Sequence, residues 1–182
     1  GNVSFYMKEN IKYEFISGLS EERFFSIWNY IEEESNNPYS EIIKQTPQNY
    51  KDIIYKSGKR HSLLYENSAF IKEEIISKED KVNFNIRNSA KDFRITICKE
   101  QKNEILDSDI PIHKRNKFRV SYEFRFFSLD FTIVNSCNLD DTENKVSYEI
   151  EFELTGKKIK EQLEYLRNYL TKRNSQIKKY MK

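Results

Sequence analysis

Tyr148-Glu149-Ile150-Glu151-Phe152-Glu153-Leu154 alternates apolar and acidic residues without a break. Successive side chains of a β-strand point to opposite faces, so the segment reads as a strand with one apolar and one wholly acidic face. Neighbouring glutamates on that face would lie about 7 Å apart. Three like charges in a row repel one another and gain nothing on an open surface. The row is either a solvated outer face, the ordinary fate of a charge run, or it faces opposite charges carried by other strands.

The same period of two recurs along the chain. Residues 92–100 set Phe93, Ile95 and Ile97 against Asp92, Arg94, Thr96, Cys98 and Glu100. Residues 117–125 set Phe118, Val120, Tyr122 and Phe124 against Lys117, Arg119, Ser121, Glu123 and Arg125. Residues 128–134 set Leu129, Phe131 and Ile133 against Asp130 and Thr132, and residues 11–16 set Ile11, Tyr13 and Phe15 against Lys12 and Glu14. Weaker strand candidates are residues 62–65, 69–77 and 82–86. About eight antiparallel strands with short connections make a meander or a barrel. Alternation does not report closure, so a charged enclosed interior and a half-solvated sheet both remain open. The strands are too short and too charged for a membrane barrel.

Two helices flank the strands. Residues 20–35 place Phe24, Ile27, Trp28 and Ile31 at helical spacing, with Ser20 as N-cap and Glu21 and Glu22 at the positive end of the dipole. Trp28 on that stripe reads as a core residue. Residues 157–180 carry a second stripe, Ile159, Leu163, Leu166 and Leu170. The expected fold class is α+β, dominated by an antiparallel β-barrel of about eight strands.

The chain has 182 residues, enough for a single domain spanning residues 1–182. Lys plus Arg is 31 and Asp plus Glu is 29, so the net charge of +2 does not mark a nucleic-acid binder. Cys98 and Cys137 lack metal-type spacing and read as free thiols in a reducing, intracellular compartment. No apolar run approaches the ~20 residues of a membrane helix, and no signal peptide is visible.

Alternate carboxylates on one strand, Glu149, Glu151 and Glu153, suit a hard cation such as Mg²⁺ or Mn²⁺, which prefers oxygen ligands. Lys117 and Arg119 share a face, joined by Arg115 if their strand starts early, and such a row suits phosphate oxygens. Each set also reads as a solvated surface strand. His61 and His113 have no cluster around them. There is no Gly-rich phosphate loop and no Ser-centred elbow, so nucleophilic catalysis has no candidate.

Four stretches in order resemble the triphosphate tunnel metalloenzymes, in the branch of metal-dependent RNA 5′-triphosphatases of fungal, protozoan and viral mRNA capping. They are residues 91–100, with Arg94 and Glu100 six positions apart; residues 114–122, with Arg115, Lys117 and Arg119; residues 128–134, with Asp130-Phe131-Thr132; and residues 148–154. The resemblance implies an antiparallel tunnel with a charged interior. It implies a hydrolase of phosphoanhydride bonds that removes the γ-phosphate of 5′-triphosphate RNA, and of nucleoside triphosphates, with Mn²⁺ or Mg²⁺. Glu14, Glu151 and Glu153 would hold the metal, Glu151 also its water, with Glu149 deeper on the same face. Lys117 and Arg119 would grip phosphate, helped by Arg115 and Arg94, with Arg60 and Lys72 as further basic residues. Glu100, Asp130 and Thr132 would orient these groups, and Glu100 stands with Glu151, Lys117 and Arg119 in the catalytic set. A guanylyltransferase domain in the same full-length chain is the implied partner. The abundance of Lys, Asn and Ile points to an AT-rich genome; with it, the resemblance implies a giant-virus capping enzyme as the source, and host cytoplasm or virion as the location if the source is viral.

One position departs from the pattern. The family's first strand carries Glu-x-Glu, whereas here Lys12 precedes Glu14. A lysine there removes an anionic ligand and sets a cation beside the metal position, and like charges at ~4 Å repel by about 4 kcal/mol in an intermediate dielectric. This favours an alternative, a non-catalytic module that holds a triphosphate or an RNA 5′ end in the same tunnel. A purely structural β-domain requires the charged faces to be solvated. If Lys12 suppresses metal binding, Lys12→Glu raises Mn²⁺-dependent phosphate release by at least about tenfold, ~1.4 kcal/mol of barrier. A side-by-side Mn²⁺ titration in which the glutamate variant is no better contradicts that reading.

Overall fold

The computed structural model describes residues 18–87, 92–140 and 143–154. The strand expected at residues 11–16, with Lys12 and Glu14, and the helix expected at residues 157–180 lie outside the described residues. Helix α1 (Glu21–Ser35) is followed by β1 (Ile43–Lys44), β2 (Gln48–Tyr55), β3 (Arg60–Glu66), β4 (Ala69–Arg87), β5 (Asp92–Lys102), β6 (Pro111–Glu123), β7 (Phe127–Asn138) and β8 (Lys145–Leu154). All pairings are antiparallel, in the order β5-β4-β3-β2-β6-β7-β8, with β1 on β6. The α+β class stands, and the described sheet curls into a half-barrel. Glu100 on β5 and Glu153 on β8 sit on the two outermost strands of that order, yet the charge of Glu100 is felt at Glu153. The curl has brought the two edges across one space.

Local chemistry sets the elements. Ser20 caps α1, its side chain accepting from Arg23 N at 3.3 Å, and Glu21 and Glu22 occupy the first turn. Asn67 and Ser68, both at positive φ (48° and 66°), make the tight β3–β4 turn. Three expectations need correcting. β6 begins at Pro111 rather than at residue 117, which brings Arg115 into the strand. Residues 69–87 form one strand rather than two, because a bulge between Glu79 and Val82, with Asp80 at φ 50°, absorbs the charged run that reads as a break. β2 was not expected at all. Asn49, Lys51 and Asp52 are poor strand formers, but pairing to β3 on one side and β6 on the other overrides that preference.

The core lies on the outer face of β6–β8. Phe24, Val120, Tyr122 and Phe131 are buried there, packed by Ile27, Trp28, Ile31, Tyr148 and Ile150. Phe24 meets Phe131 edge-on at 5.8 Å, and Trp28 stacks on Phe131 at 5.7 Å. Each fully buried aromatic of this kind contributes about 1.5–3 kcal/mol from area alone. Trp28 Nε1 donates to the Tyr122 hydroxyl at 2.8 Å, Tyr122 donates to Glu32, and Lys44 bridges to Glu32 at 2.6 Å. Burial, then the Glu32 hydrogen bond, push the Tyr122 hydroxyl pKa well up. The Glu32 carboxyl is held down by its Lys44 hydrogen bond first. The helix thus satisfies the apolar side of the alternation and leaves the charged side facing the concave space.

Candidate functional site

Cross-strand partners in an antiparallel pair share a face. The register joins Asp52 to Ser62 and Arg115, Tyr50 to Lys117, Arg119 to Thr132, Thr132 to Glu149, Asp130 to Glu151, and Ser128 to Glu153. These residues therefore form one continuous polar inner surface across five strands.

Asp52 has no exposed side-chain surface. Ser62 Oγ donates to its Oδ1. Lys117 Nζ lies 2.5 Å from its Oδ2, and Arg115 NH2 lies 3.7 Å from the same oxygen. The Lys117 contact is ionic, since Oδ2 lacks a well-angled hydrogen bond. Burial lowers the Lys117 pKa and Asp52 works against that shift, while Arg115 and Arg60 add to it. A cation so placed is an anion-binding group once a second negative charge arrives.

Arg119 is held by three acceptors. Its Nε donates to Thr132 Oγ1 at 3.0 Å, NH1 lies 3.2 Å from Asp130 Oδ2, and NH2 donates to Glu151 Oε2 at 2.6 Å. Asp130 and Thr132 are themselves buried, so the guanidinium has a fixed plane. Arg60 NH2 lies 3.9 Å from Glu100 Oε1, and Lys78 Nζ lies 3.5 Å from the same oxygen. The Nε groups of Arg60 and Arg115 are buried and meet no acceptor among the described residues. Buried donors of this kind cost stability unless something accepts from them.

Lys72, opposite Leu64, is paired to Glu74 at 2.9 Å. Arg94 sits on β5 opposite Asn85 and is exposed. The structure thus brings together Arg60, Glu100, Arg115, Lys117, Arg119, Asp130, Thr132, Glu151 and Glu153, places Lys72 on a neighbouring strand of the same sheet, and gives Arg94 a more peripheral position. Glu14 lies outside the described residues.

The acidic strand is under strain of charge. The Glu149 carboxyl pKa is raised by burial first and by Glu151 next, with Arg115, Lys117 and Arg119 pulling it back. Glu153 is exposed by surface area, yet desolvation leads its upward shift, followed by Asp130, against Arg119, with Glu151 and Glu100 adding repulsion. Among the described residues no three carboxylate, His or Cys side chains converge as a ligand set. The all-oxygen donors Glu151 and Glu153, with carboxylate repulsion still unrelieved at Glu153, nonetheless fit a hard divalent cation. A cavity of about 250 Å³ opens beside them, lined by Tyr50, Arg119, Asp130, Glu153 and the polar side chains of β1–β2 and β6.

Sequence reasoning missed Asp52, Ser62 and Tyr50. The usable signal was the turn after Tyr55, where Gly58 at φ 85° donates to Tyr55 O at 2.9 Å. A Ser-Gly pair between two β-forming runs marks a hairpin.

The raised carboxyl of Glu153 has a consequence for stability. A folded pKa above the unfolded value favours the fold below the unfolded pKa, and that contribution is lost as pH rises through the folded pKa. Glu153→Gln removes the titration. Its melting temperature is expected to match the wild type near about pH 4 and to exceed it near about pH 8. A variant less stable than the wild type at the higher pH contradicts the assignment.

No curated protein matches the sequence. The S. pombe Pct1 RNA triphosphatase aligns in structure with TM-score 0.61 at 17% identity, over 79% of this chain and 57% of that one. The same protein in complex with the Spt5 CTD aligns with TM-score 0.63 at 17% identity, over 94% and 65%. The present chain therefore spans less than two thirds of the length of those structures, and at such identity the likeness is one of fold. The profile of the family described as "mRNA capping enzyme, beta chain" matches residues 3–182. With nearly the whole length matched, the chain belongs to the mRNA capping enzyme beta-chain family.

Proposed function

We propose that this chain hydrolyses the γ-phosphate of 5′-triphosphate RNA, the opening step of mRNA capping, and acts on nucleoside triphosphates by the same site. The observation that carries this reading is the inner face itself, where Arg115, Lys117 and Arg119 are aligned on one strand, and the buried Nε donors of Arg60 and Arg115 meet no acceptor among the described residues. A triphosphate supplies the acceptors those donors lack.

Phosphoryl transfer needs little covalent help from a protein, and positioning with charge stabilisation supplies most of the rate. Lys117, pressed between Asp52 and the open face, meets a phosphoryl oxygen as a point charge. Arg119 meets oxygens with a guanidinium whose plane is already fixed, so little reorganisation is needed as charge develops. Through its 2.6 Å bond to Glu151, Arg119 also ties the phosphate-binding strand to the acidic strand. Glu151 and Glu153 would hold Mn²⁺ or Mg²⁺, which when bound supplies positive charge toward phosphoryl oxygens and lowers the pKa of water. Burial first, and Glu151 next, raise the Glu149 carboxyl pKa on the same face. A guanylyltransferase domain in the full-length chain would take the resulting 5′-diphosphate end.

The test is phosphate release from triphosphate-ended RNA, with and without Mn²⁺. Arg119→Ala is expected to lower kcat/KM by at least about a hundredfold, the scale of one lost preorganised donor. Unchanged turnover in that variant overturns the site. Tight triphosphate binding by the wild type without any release supports the non-catalytic binding module instead.

A further inference from the structure

Tyr50 lies on the inner face of β2, opposite Lys117 on β6 and Leu64 on β3. Lys117 Nζ sits 5.5 Å from its ring centroid, and Arg119 Cζ sits 5.5 Å from it as well. Two cations on neighbouring positions of one strand face therefore rest against a single aromatic ring. The ring is itself held: its hydroxyl donates to Gln48 Oε1 at 2.7 Å, and Gln48 Nε2 donates to Glu66 Oε1 at 2.9 Å.

Apart from the Thr132 hydroxyl on Arg119 Nε, the other partners of these cations are carboxylates. Asp52 on Lys117, and Asp130 and Glu151 on Arg119, fix position but also neutralise charge and compete with an incoming anion. An aromatic face attracts a cation through its quadrupole and carries no net charge. It can steady a lysine and an arginine side by side, against their mutual repulsion, while leaving their full charge available.

We propose that Tyr50 is a positioning residue whose ring aims Lys117 and Arg119 together at a polyphosphate chain. The proposal deepens the phosphate-binding part of the function above and rests on that reading. The ring lies beside the cavity that Arg119, Asp130 and Glu153 line.

The test is equilibrium binding of inorganic tripolyphosphate, without metal, to a series at this position. Tyr50→Leu is expected to weaken binding by about tenfold, ~1.4 kcal/mol. Tyr50→Phe keeps the ring and is expected to recover most of the wild-type affinity, and Tyr50→Trp to match or exceed it. Tyr50→Met, bulky but without a π face, replaces leucine if that variant fails to fold. Thermal unfolding checks each protein. A folded leucine or methionine variant that binds as the wild type does overturns the proposal, and so does a phenylalanine variant as weak as leucine. If the wild type binds tripolyphosphate but releases no phosphate from RNA, the hydrolytic reading fails while the series still decides the role of the ring. If the wild type does not bind tripolyphosphate, both fall.

Discussion

Charge carried on the inside of a curled sheet has to be compensated locally, because the surrounding strands displace the water that would otherwise solvate it. Asp52 makes the constraint explicit. With no exposed surface, it survives as part of an ionic group with Lys117 and Arg115 and a hydrogen bond from Ser62. Removing one partner of such a group leaves a buried charge unpaired, at a cost of about 3–5 kcal/mol. The same requirement organises Arg119 among Asp130, Thr132 and Glu151. The central carboxylate is met by two cations, while the margins are less evenly matched. Among the described residues Arg60 and Arg115 keep buried donors with no acceptor, and Glu149 and Glu153 keep raised pKa values. Those residual imbalances are opposite in sign and lie on one face, which suits a polyanion on the basic side and a cation on the acidic side.

The outer face makes this arrangement possible. Helix α1 covers β6–β8 with Phe24, Trp28 and Ile31, so the strands that carry the functional charges obtain their stability from the opposite side. Tyr122 and Phe131 anchor that packing directly behind Ser121 and Thr132. The period of two separates the tasks on β6: Val120 and Tyr122 build the core, and Arg115, Lys117 and Arg119 on the alternate positions build the site. A slip of one residue in β6 would exchange the two faces and lose both.

How much of this was legible in the sequence varies by element. Glu149, Glu151 and Glu153 announce their strand because charge and apolar residues alternate perfectly, and β6 and β7 are nearly as clear. α1 is legible to within a residue because Ser20 and the stripe through Trp28 agree. β2 was invisible because its strand propensity is low and both of its faces mix polar and apolar residues. Its role depends on Ser62, across a hairpin whose Ser-Gly turn is the one local signal, and on Arg115, which lies far away in sequence and which no local pattern reports. Closure of the sheet was equally hidden, since alternation is the same in an open and a curled sheet, and the family resemblance rather than the periodicity pointed to a tunnel.

The central claim is that a polyphosphate lies along the inner face, between the basic row of β6 and the acidic row of β8. The most direct measurement is a crystal structure of the chain with inorganic tripolyphosphate. The account predicts phosphate oxygens against Lys117 and Arg119, with Arg60 Nε or Arg115 Nε newly satisfied. Tripolyphosphate bound only on the outer surface, with Lys117 and Arg119 still closed on Asp52 and Glu151, would contradict it.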